Sequence, residues 1–315
     1  MTAATQHSSG DILADRRADY ARLLAENGDY SGAAELMEQA LAITPDWAAG
    51  WFRFAEYAEK SGQKEAAAAG LAKVLSLAPA DPFGAGLKLA VLGASGVPSA
   101  PPSRYVEQLF DDYAQRFDTA LVGRLDYSVP EKLAALICEH CPSTTFSFVT
   151  DLGCGTGLFG ERIRDRASFL EGFDLSARML AKAREKRLYD RLAQADLTLS
   201  PAESGVFEAG LPRGRTTLAT AADVLMYLGE LAHVFTTAAD LVASGGYFGF
   251  SVEDAADGED YVLRPSLRYA HGEAHVRRRA DAAGFAILQA WQTVIRKDAG
   301  EPVQGRLYLA KRRAS

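Results

Sequence analysis

The sequence predicts two regions of different fold class: an all-α repeat domain first, and an α/β domain with a mainly parallel sheet after it. The first part of the chain repeats itself at a spacing of 34 residues, which is typical of stacked helical hairpins. From residue 146 onward, short apolar runs alternate with segments of helical pattern, as in a sheet whose two faces are covered by helices.

Composition limits the class of protein and its partners. The 315 residues suffice for about two domains, and the apolar share of 48% and the charged share of 24% are ordinary for a soluble protein. A net charge of −7 argues against a broad nucleic-acid-binding surface. The sequence has no uncharged apolar run of about 18 residues, so we expect no membrane span, and the polar start "MTAATQHSSG" predicts a cytoplasmic protein.

Small residues recur at the 34-residue spacing, where two packed helices must approach closely. Gly28 aligns with Gly62 and then with Gly96, and Pro45 aligns with Pro79. Glycine is expected to close the turn between two helices, and proline to end the second helix. The pattern resembles the tetratricopeptide repeat. The alternative is an unrelated pair of helical hairpins.

These observations set the expected domain boundaries. We expect a disordered N-terminus over residues 1–13 and a repeat domain over residues 14–95, with two full repeats and a partial third. The proline-rich segment at residues 96–103 reads as a linker, and the α/β domain follows over residues 104–315.

Five apolar runs in the second region predict the parallel strands. They begin at residues 146, 168, 191, 216 and 245, and read FSFVTDL, SFLEGFDLS, RLAQADL, TTLATAADVL and GGYFGFSVE, with helical segments expected between them. The tail at residues 285–313 reads as two strands around a turn, which predicts an antiparallel hairpin. In such sheets, ligands bind beyond the carboxyl ends of the strands.

A glycine-rich turn, DLGCGTGLFG at residues 151–160, follows the first of these strands. Glycines let the backbone approach a ligand closely, so the turn predicts a site for a nucleotide-like molecule. A dinucleotide site needs a third small residue at the position that Leu158 occupies. Instead, Asp151 is followed by Gly153, Gly155 and Gly157, which suits a ligand that carries a cation and no phosphate.

Two more acids follow the next two strands. Asp174 ends the second strand, where nucleoside-binding folds place a carboxylate on the ribose hydroxyls, and Asp196 ends the third strand. For each acid taken alone, a helix cap or a solvated turn is the simpler interpretation. Three acids at successive strand ends, one of them before a glycine-rich turn, favour a cofactor site.

The glycine pattern resembles motif I of class I S-adenosylmethionine-dependent methyltransferases, and GFDLSARML resembles their second strand end. The chain from about residue 14 to residue 312 is similar to a bacterial group of predicted methyltransferases that carry tetratricopeptide repeats. It departs from the pattern at the fourth strand, which opens with Thr216 and Thr217 instead of Phe-Asp. The resemblance implies an α/β, Rossmann-like sheet of seven strands, mainly parallel with the last strand antiparallel, and S-adenosyl-L-methionine as cofactor.

The resemblance also implies roles for individual residues. In it, the acid after the third strand contacts the adenine amino group, and the acid after the fourth strand positions the acceptor or the methionine amine. The expected cofactor-binding residues are Asp151, Gly153, Cys154, Gly155, Thr156, Gly157, Asp174, Leu175, Met179, Asp196, Leu197 and Asp223.

Asp223 is also a candidate catalytic residue, together with Tyr269 and His271 in the segment after the fifth strand. The candidate substrate-binding residues are Tyr113, Tyr227, Arg268 and His275. His271 and His275 would share one face of a helix at a spacing of four, although the segment also reads as a plain polar helix start. Tyr113 reads either as part of a lid or as part of an apolar helix face.

Cys138 and Cys141 have C-x-x-C spacing, but a zinc site needs about four ligands and the remaining cysteine, Cys154, lies in the glycine-rich turn. We therefore expect no metal site.

The predicted activity is transfer of the sulfonium methyl group to an unidentified oxygen or nitrogen nucleophile by in-line displacement. The sulfonium is already activated, so alignment and exclusion of water are the main tasks, and a general base is needed only if the acceptor must lose a proton. The repeats are expected to recruit a protein partner or protein substrate, or to form a homo-oligomer, and the acceptor is otherwise a small molecule. Two alternatives remain: an assembly protein that retains the cofactor-binding fold, and a hydroxylase on the same fold.

Overall fold

A computed structural model describes residues 8–114, 127–142, 145–256, 258–298 and 300–314. The chain forms two compact units. The repeat unit comprises residues 1–105 and 265–267, and the sheet unit comprises residues 106–264 and 268–315. The division after Tyr105 lies close to the segment that the sequence predicts as a linker.

The repeat unit consists of helices that pack on their neighbours in chain order. Its core is rich in buried alanines, because antiparallel helices approach closely only where side chains are small. The helices are α1 (Ile12–Glu26), α2 (Tyr30–Leu41), α3 (Ala48–Lys60), α4 (Lys64–Leu77) and α5 (Ala85–Val91).

The first helix begins inside the segment that was expected to be disordered. Asp11 caps α1 by accepting hydrogen bonds from the amides of Leu13 and Ala14, and Ser8 and Ser9 bond to Asp15. The expectation of disorder up to residue 13 is therefore wrong for residues 8–13. Residues 1–7 lie outside the described part of the chain.

Glycine ends the first helix of each repeat in the left-handed conformation. Gly28 has a φ of +84° and Gly62 a φ of +85°, each two residues beyond a helix end, where only glycine is unstrained. The third repeat uses Gly93, with a φ of +75°, rather than the expected Gly96. The reason is that α5 ends at Val91, so the left-handed residue comes earlier than the 34-residue spacing places it.

The sheet unit alternates helices and strands. Its first helix, α6 (Ser103–Tyr113), enters the unit at Val106. The remaining helices are α7 (Val129–His140), α8 (Leu158–Ile163), α9 (Ala177–Lys186), α10 (Ala232–Leu241) and α11 (Glu273–Ala282). The strands are β1 (Val149–Leu152), β2 (Leu170–Asp174), β3 (Arg191–Gln194), β4 (Thr216–Ala221), β5 (Val242–Asp254), β6 (Tyr261–Leu263), β7 (Tyr269–His271), β8 (Phe285–Asp298) and β9 (Glu301–Arg312).

The strands form one sheet in which β3, β2, β1, β4 and β5 are parallel neighbours in that order. The predicted hairpin is present: β9 pairs antiparallel with β5 and with β8. The sheet of the described residues has nine strands rather than seven, because β6 and β7 add to it after β5. Of these, β7 lies in the segment that was also read as a helix start. Between β3 and β4, the regular element is a 3₁₀ turn at Glu208–Gly210.

Apolar clusters cover both faces of the sheet. One packs α10 and α11 against the aromatic rings of Phe248 and Phe250. The other packs α7 and α8 against β1 and β9, with Leu133 and Leu309 buried. The strands β1, β2 and β4 are therefore buried on both sides, which leaves their carboxyl ends as the open edge. In the described residues, none of the helices is long and apolar enough to cross a membrane.

Substituting the turn glycine of the second repeat tests the left-handed turn. Gly62→Ala introduces a Cβ at a φ of +85°, so we expect the free energy of unfolding to fall by about 1 kcal/mol. Gly96→Ala is the matched control, since Gly96 occupies the aligned position without a positive φ and with open space around it. Thermal unfolding measures the stability of both variants, and hydrogen exchange measures the protection of the amides in α3 and α4. Equal stability of the two would contradict the strain argument.

Candidate functional site

A cavity of about 360 Å³ opens beyond the carboxyl ends of β1 to β4. Its wall contains the glycine-rich turn after β1 and an acid at or just beyond the end of each of the four strands: Asp151, Asp174, Asp196 and Asp223. Since these strands are parallel neighbours, their carboxyl ends meet at one edge of the sheet. The order of the strands places Asp196 at one end of the cavity and Asp223 toward the other.

The glycine-rich turn makes room mainly for protein side chains. Gly153, Gly155 and Gly157 all have positive φ, which glycine adopts without strain. A Cβ on Gly153 would overlap the side chain of Val224, and one on Gly157 would lie 3.0 Å from the ring of Tyr189. The bare backbone therefore wraps Tyr189 and Val224.

Asp151 is buried beneath this turn. One carboxylate oxygen accepts a hydrogen bond from the Tyr189 hydroxyl at 2.7 Å, and the other accepts one from the Thr220 hydroxyl at 3.0 Å. Burial raises the pKa of Asp151 to about 7, although both hydroxyls stabilise the ionised form. A positively charged ligand group would shift the equilibrium toward the carboxylate.

Asp174 holds the turn from the neighbouring strand. Its carboxylate accepts hydrogen bonds from the amides of Gly155 and Ser176, both at 2.8 Å. Burial raises the pKa of Asp174 to about 6, and the two amide hydrogen bonds oppose that rise. Each oxygen keeps a further lone pair, so the carboxylate can also accept hydrogen bonds from ligand hydroxyls.

Asp196 forms a compact turn after β3. Its Oδ1 accepts hydrogen bonds from the amide and the hydroxyl of Thr198, at 2.9 and 2.6 Å, and neither bond involves Oδ2. Leu197 lies beside it in the cavity wall, as Leu175 does after β2. This end of the cavity combines apolar contacts with one carboxylate oxygen, an arrangement suited to a flat polar ring.

Asp223 belongs to a buried ion network. Its Oδ1 lies 2.8 Å from Nη1 of Arg296, and Nη2 of Arg296 pairs with Glu253. Burial raises the pKa of Asp223, and the charge of Arg296 opposes this effect. Asp223 has a φ of +59°, a conformation that costs free energy for a residue other than glycine. Its amide donates to the Ser251 hydroxyl of β5, which fixes the turn.

Aromatic side chains and a second arginine complete this end of the cavity. Tyr113, Tyr127 and Tyr227 line the wall, and the ring of Phe110 meets that of Tyr227 edge-on at 5.0 Å. Arg268 also lines the cavity and donates to the Tyr227 hydroxyl at 3.4 Å. The expected substrate-binding residues Tyr113, Tyr227 and Arg268 therefore lie together.

Tyr269, His271 and His275, which the sequence predicts as catalytic or substrate-binding residues, do not lie in the cavity wall. All three are at most 2% exposed. His271 lies in β7 rather than on a helix, and its Nε2 lies 2.8 Å from the carbonyl oxygen of Leu228. Burial lowers the pKa of His271 to about 4. The two buried histidine rings stack with their centroids 6.3 Å apart.

Two of the expected cofactor-binding residues also lie outside the cavity wall. Met179 is fully buried in α9 and its amide donates to the Ser176 hydroxyl, which caps that helix. Gly157 faces Tyr189 instead of the cavity. The other expected cofactor-binding residues all lie in the wall, including Cys154 and Thr156 of the turn.

Cys138 and Cys141 belong to the end of α7. The sulfur of Cys138 accepts a hydrogen bond from Arg166 at 2.6 Å, and Cys141 is the C-cap residue. Within the described ranges, no cluster of histidine, cysteine and acidic side chains is arranged to hold a metal ion.

The sequence did not point to Tyr189 or Arg296. Tyr189 lies in a loop 38 residues after Asp151, and Arg296 lies in a strand 73 residues after Asp223. Neither residue belongs to a local motif. The only available signal for Tyr189 was an excess of glycines, at Gly160 and Gly172, whose absent side chains leave space for its ring.

The raised pKa of Asp151 makes stability depend on pH. Between its ordinary pKa of 3.8 and about 7, the folded protein keeps a proton that the unfolded chain has released. The free energy of unfolding therefore falls as the pH rises through this range. We expect Asp151→Asn to lack this component, so that its stability relative to the unsubstituted protein improves by up to about 4 kcal/mol from pH 4 to pH 8. Chemical denaturation of both proteins across this pH range measures the two free energies of unfolding. If they change with pH in parallel, Asp151 does not have the raised pKa.

Two protein-family models match separate parts of the chain. Residues 150–248 match the family model described as a methyltransferase domain, and residues 14–57 match that of the tetratricopeptide repeat. A malonyl-(acyl-carrier protein) O-methyltransferase of Enterobacter lignolyticus is 39% identical over 75 residues, which are 24% of this chain and 30% of the relative. A ubiquinone biosynthesis O-methyltransferase of Thiobacillus denitrificans is 30% identical over 146 residues, 44% of this chain and 61% of the relative. The chain thus spans less than two thirds of either curated relative.

Solved structures agree on the fold. The [4+2]-cyclase SpnF superposes with a TM-score of 0.55 at 18% identity, over 70% of this chain and 100% of the cyclase. The 1,6-didemethyltoxoflavin-N1-methyltransferase of Burkholderia thailandensis superposes with a TM-score of 0.51 at 16% identity, over 70% of this chain and 93% of that protein. The sheet unit therefore has a Rossmann-like fold and contains the match to a methyltransferase domain, and the repeat unit contains the match to a tetratricopeptide repeat.

Proposed function

We propose that the sheet unit binds S-adenosyl-L-methionine and transfers its methyl group to an oxygen nucleophile. The observation that carries this proposal is that one cavity wall contains both the glycine-rich turn and the acids at the carboxyl ends of β1, β2 and β3. The names of both curated relatives support oxygen as the acceptor atom. The cyclase among the solved structures shows that the fold alone does not define the reaction, so the argument depends on the site.

The donor set of the cavity fits this cofactor. Asp174 would accept hydrogen bonds from the ribose hydroxyls, and Asp196 from the adenine amino group through its Oδ2. Asp151 would stabilise the positive charge of the methionine end. Aliphatic side chains of Leu175 and Leu197 would cover the adenine ring. The cavity volume of about 360 Å³ lies within the range of small-molecule sites.

The chain contributes alignment and a dry environment. When bound, the sulfonium supplies an activated methyl group, which an in-line nucleophile can accept without prior activation. Phe110, Tyr113 and Tyr227 exclude water from the acceptor end, and Asp223 is held in one orientation by Arg296. Such positioning lowers the activation barrier by fixing the reacting atoms before the displacement.

The repeats are proposed to recruit a protein partner or protein substrate. Tetratricopeptide arrays commonly offer a concave binding surface, and about three repeats are needed for a stable array. An assembly protein that retains a cofactor-binding domain is the competing function, because the same match to the repeat family supports it.

Removing the ribose acceptor tests cofactor binding. We expect Asp174→Ala to weaken the affinity for S-adenosylmethionine and for its demethylated product by about 1.5–3 kcal/mol, the value of a hydrogen bond to a charged group. Asp190→Ala is the control, since Asp190 also accepts a backbone amide hydrogen bond beside β2 but lies outside the cavity wall. Calorimetry with these ligands and with NAD measures the effect. Unchanged affinity in Asp174→Ala, or tight NAD binding by a protein that ignores S-adenosylmethionine, would refute the cofactor assignment.

Truncation separates the roles of the two regions. We expect removal of residues 1–95 to leave cofactor affinity largely unchanged, because every described cavity-lining residue lies beyond residue 105. We expect methylation of the true acceptor to fall, or the oligomeric state to change. Calorimetry, a methyl-transfer assay and light scattering provide the three measurements. Capture of a defined partner by a full-length protein that transfers no methyl group would favour the assembly function.

A further inference from the structure

Two arginines define the acceptor end of the cavity. Asp223 follows β4 and Glu253 is the last but one residue of β5. Arg268 and Arg296 approach these acids from the segment before β7 and from β8. In the sheet order, this group lies on the side of β1 opposite β2 and β3. The guanidinium groups therefore lie at the end of the cavity away from Asp174 and Asp196.

Arg296 is buried with part of its hydrogen-bonding capacity unused. Its side chain is 2% exposed and it lines the cavity, yet its Nε has no partner among the described residues. A buried donor without an acceptor costs free energy. The unused donor is consistent with a site that is completed by an oxygen-bearing ligand.

Arg268 is held more loosely. Its hydrogen bonds to Tyr227 and Asp298 use Nε and Nη1, and the side chain of Asp298 is 47% exposed. An ion pair with an exposed carboxylate contributes little, so Asp298 is readily exchanged for a ligand carboxylate inside the cavity. Arginine is well suited to such a ligand, because its planar group bonds both carboxylate oxygens.

The charges around these arginines nearly balance. Arg264, Arg268 and Arg296 face Asp223, Glu253 and Asp298. A bound sulfonium adds one positive charge, which an anionic acceptor would neutralise.

The same end of the cavity is poor in general bases. The cavity-lining residues of the described chain include neither histidine nor lysine. Protonation of Asp223 would weaken its ion pair with the buried Arg296. Burial raises the pKa of Tyr127 well above its usual value, and Asp223 adds to this effect, so its hydroxyl stays protonated. An acceptor that is already ionised near neutral pH needs no base.

We propose that the acceptor is a carboxylic acid, bound as its carboxylate to Arg268 and Arg296 against the aromatic wall, and methylated on a carboxylate oxygen. This inference rests on the proposed methyl transfer and names its substrate class. One carboxylate oxygen forms the bond to the methyl carbon while the bond between that carbon and sulfur breaks. The electron pair of the broken bond remains on sulfur. The products are a neutral methyl ester and a neutral thioether, and no proton is transferred.

Alkaline lability of the product tests the substrate class. The full chain and S-adenosylmethionine labelled in the methyl group are incubated with an extract of source cells that lack this protein. Half of the quenched reaction is held at about pH 10, at which methyl esters hydrolyse and methyl ethers and methylamines do not. We expect the transferred label to leave the alkaline half as volatile methanol. Label that is transferred but stable to alkali overturns the carboxylate inference and leaves the proposed methyl transfer intact. Absence of transfer by a protein that binds the cofactor in calorimetry overturns both.

Variants of Arg268 test whether this residue anchors the carboxylate of the acceptor. We expect Arg268→Gln to raise the KM for the labelled acceptor about 10- to 100-fold, with the cofactor Kd unchanged, and Arg268→Lys to recover part of the loss. Arg279→Gln is the matched control, since Arg279 is similarly exposed, also pairs with one carboxylate, and lies outside the cavity wall. Thermal unfolding checks that each variant folds. If the Arg268→Gln protein folds and its KM is unchanged, Arg268 does not anchor the acceptor. The test of alkaline lability uses the unsubstituted protein and therefore does not require any variant to fold.

Discussion

The ring of Tyr189 is the constraint on which the cofactor end of the site depends. Its hydroxyl binds the carboxylate of Asp151, and added Cβ atoms on Gly157, Gly160 and Gly172 would all lie within 3.0 Å of it. The glycines therefore let the turn after β1 close over an aromatic ring, which in turn fixes the buried acid. This packing holds the turn in shape before any ligand arrives, and such preorganisation reduces the free-energy cost of ordering a loop on binding.

Local spacing was enough to predict this end of the site. Asp151, Asp174 and Asp196 each lie at or next to the carboxyl end of a strand. Parallel strands bring their carboxyl ends to one edge, so chain order alone places these acids together. The same logic failed for His271 and His275. Their spacing of four suggested a shared helix face, but Gly272 is the N-cap residue, so the pair spans a strand end and a helix start. Their rings still stack, through a geometry that helical periodicity does not describe.

The acceptor end was predictable only in part. Tyr227 and Arg268 lie in segments whose positions follow from the family pattern, whereas Arg296 lies within the long β8 of the terminal hairpin. The side of a strand that meets a cavity depends on register, and β8 has two irregularities along its pairing with β9. A register shift reverses which residues face inward, so a sequence pattern alone could not place Arg296 against Asp223. The two short strands β6 and β7 were missed for a related reason, because three residues are too few to show a period.

Burying the ion pairs of Arg296 costs free energy, and a functional role would account for their presence. Arg296 and Glu253 are each 2% exposed, and a buried ion pair often contributes no more to stability than apolar side chains of similar volume. The core around it has ample apolar material, with Phe248 and Phe250 packed a few residues away on β5. Stability alone therefore gives little reason for charged groups at this position. Their place in the cavity wall, beside the left-handed turn at Asp223, gives a better reason, since strained backbone and buried charge together are typical of residues that hold a ligand in one orientation.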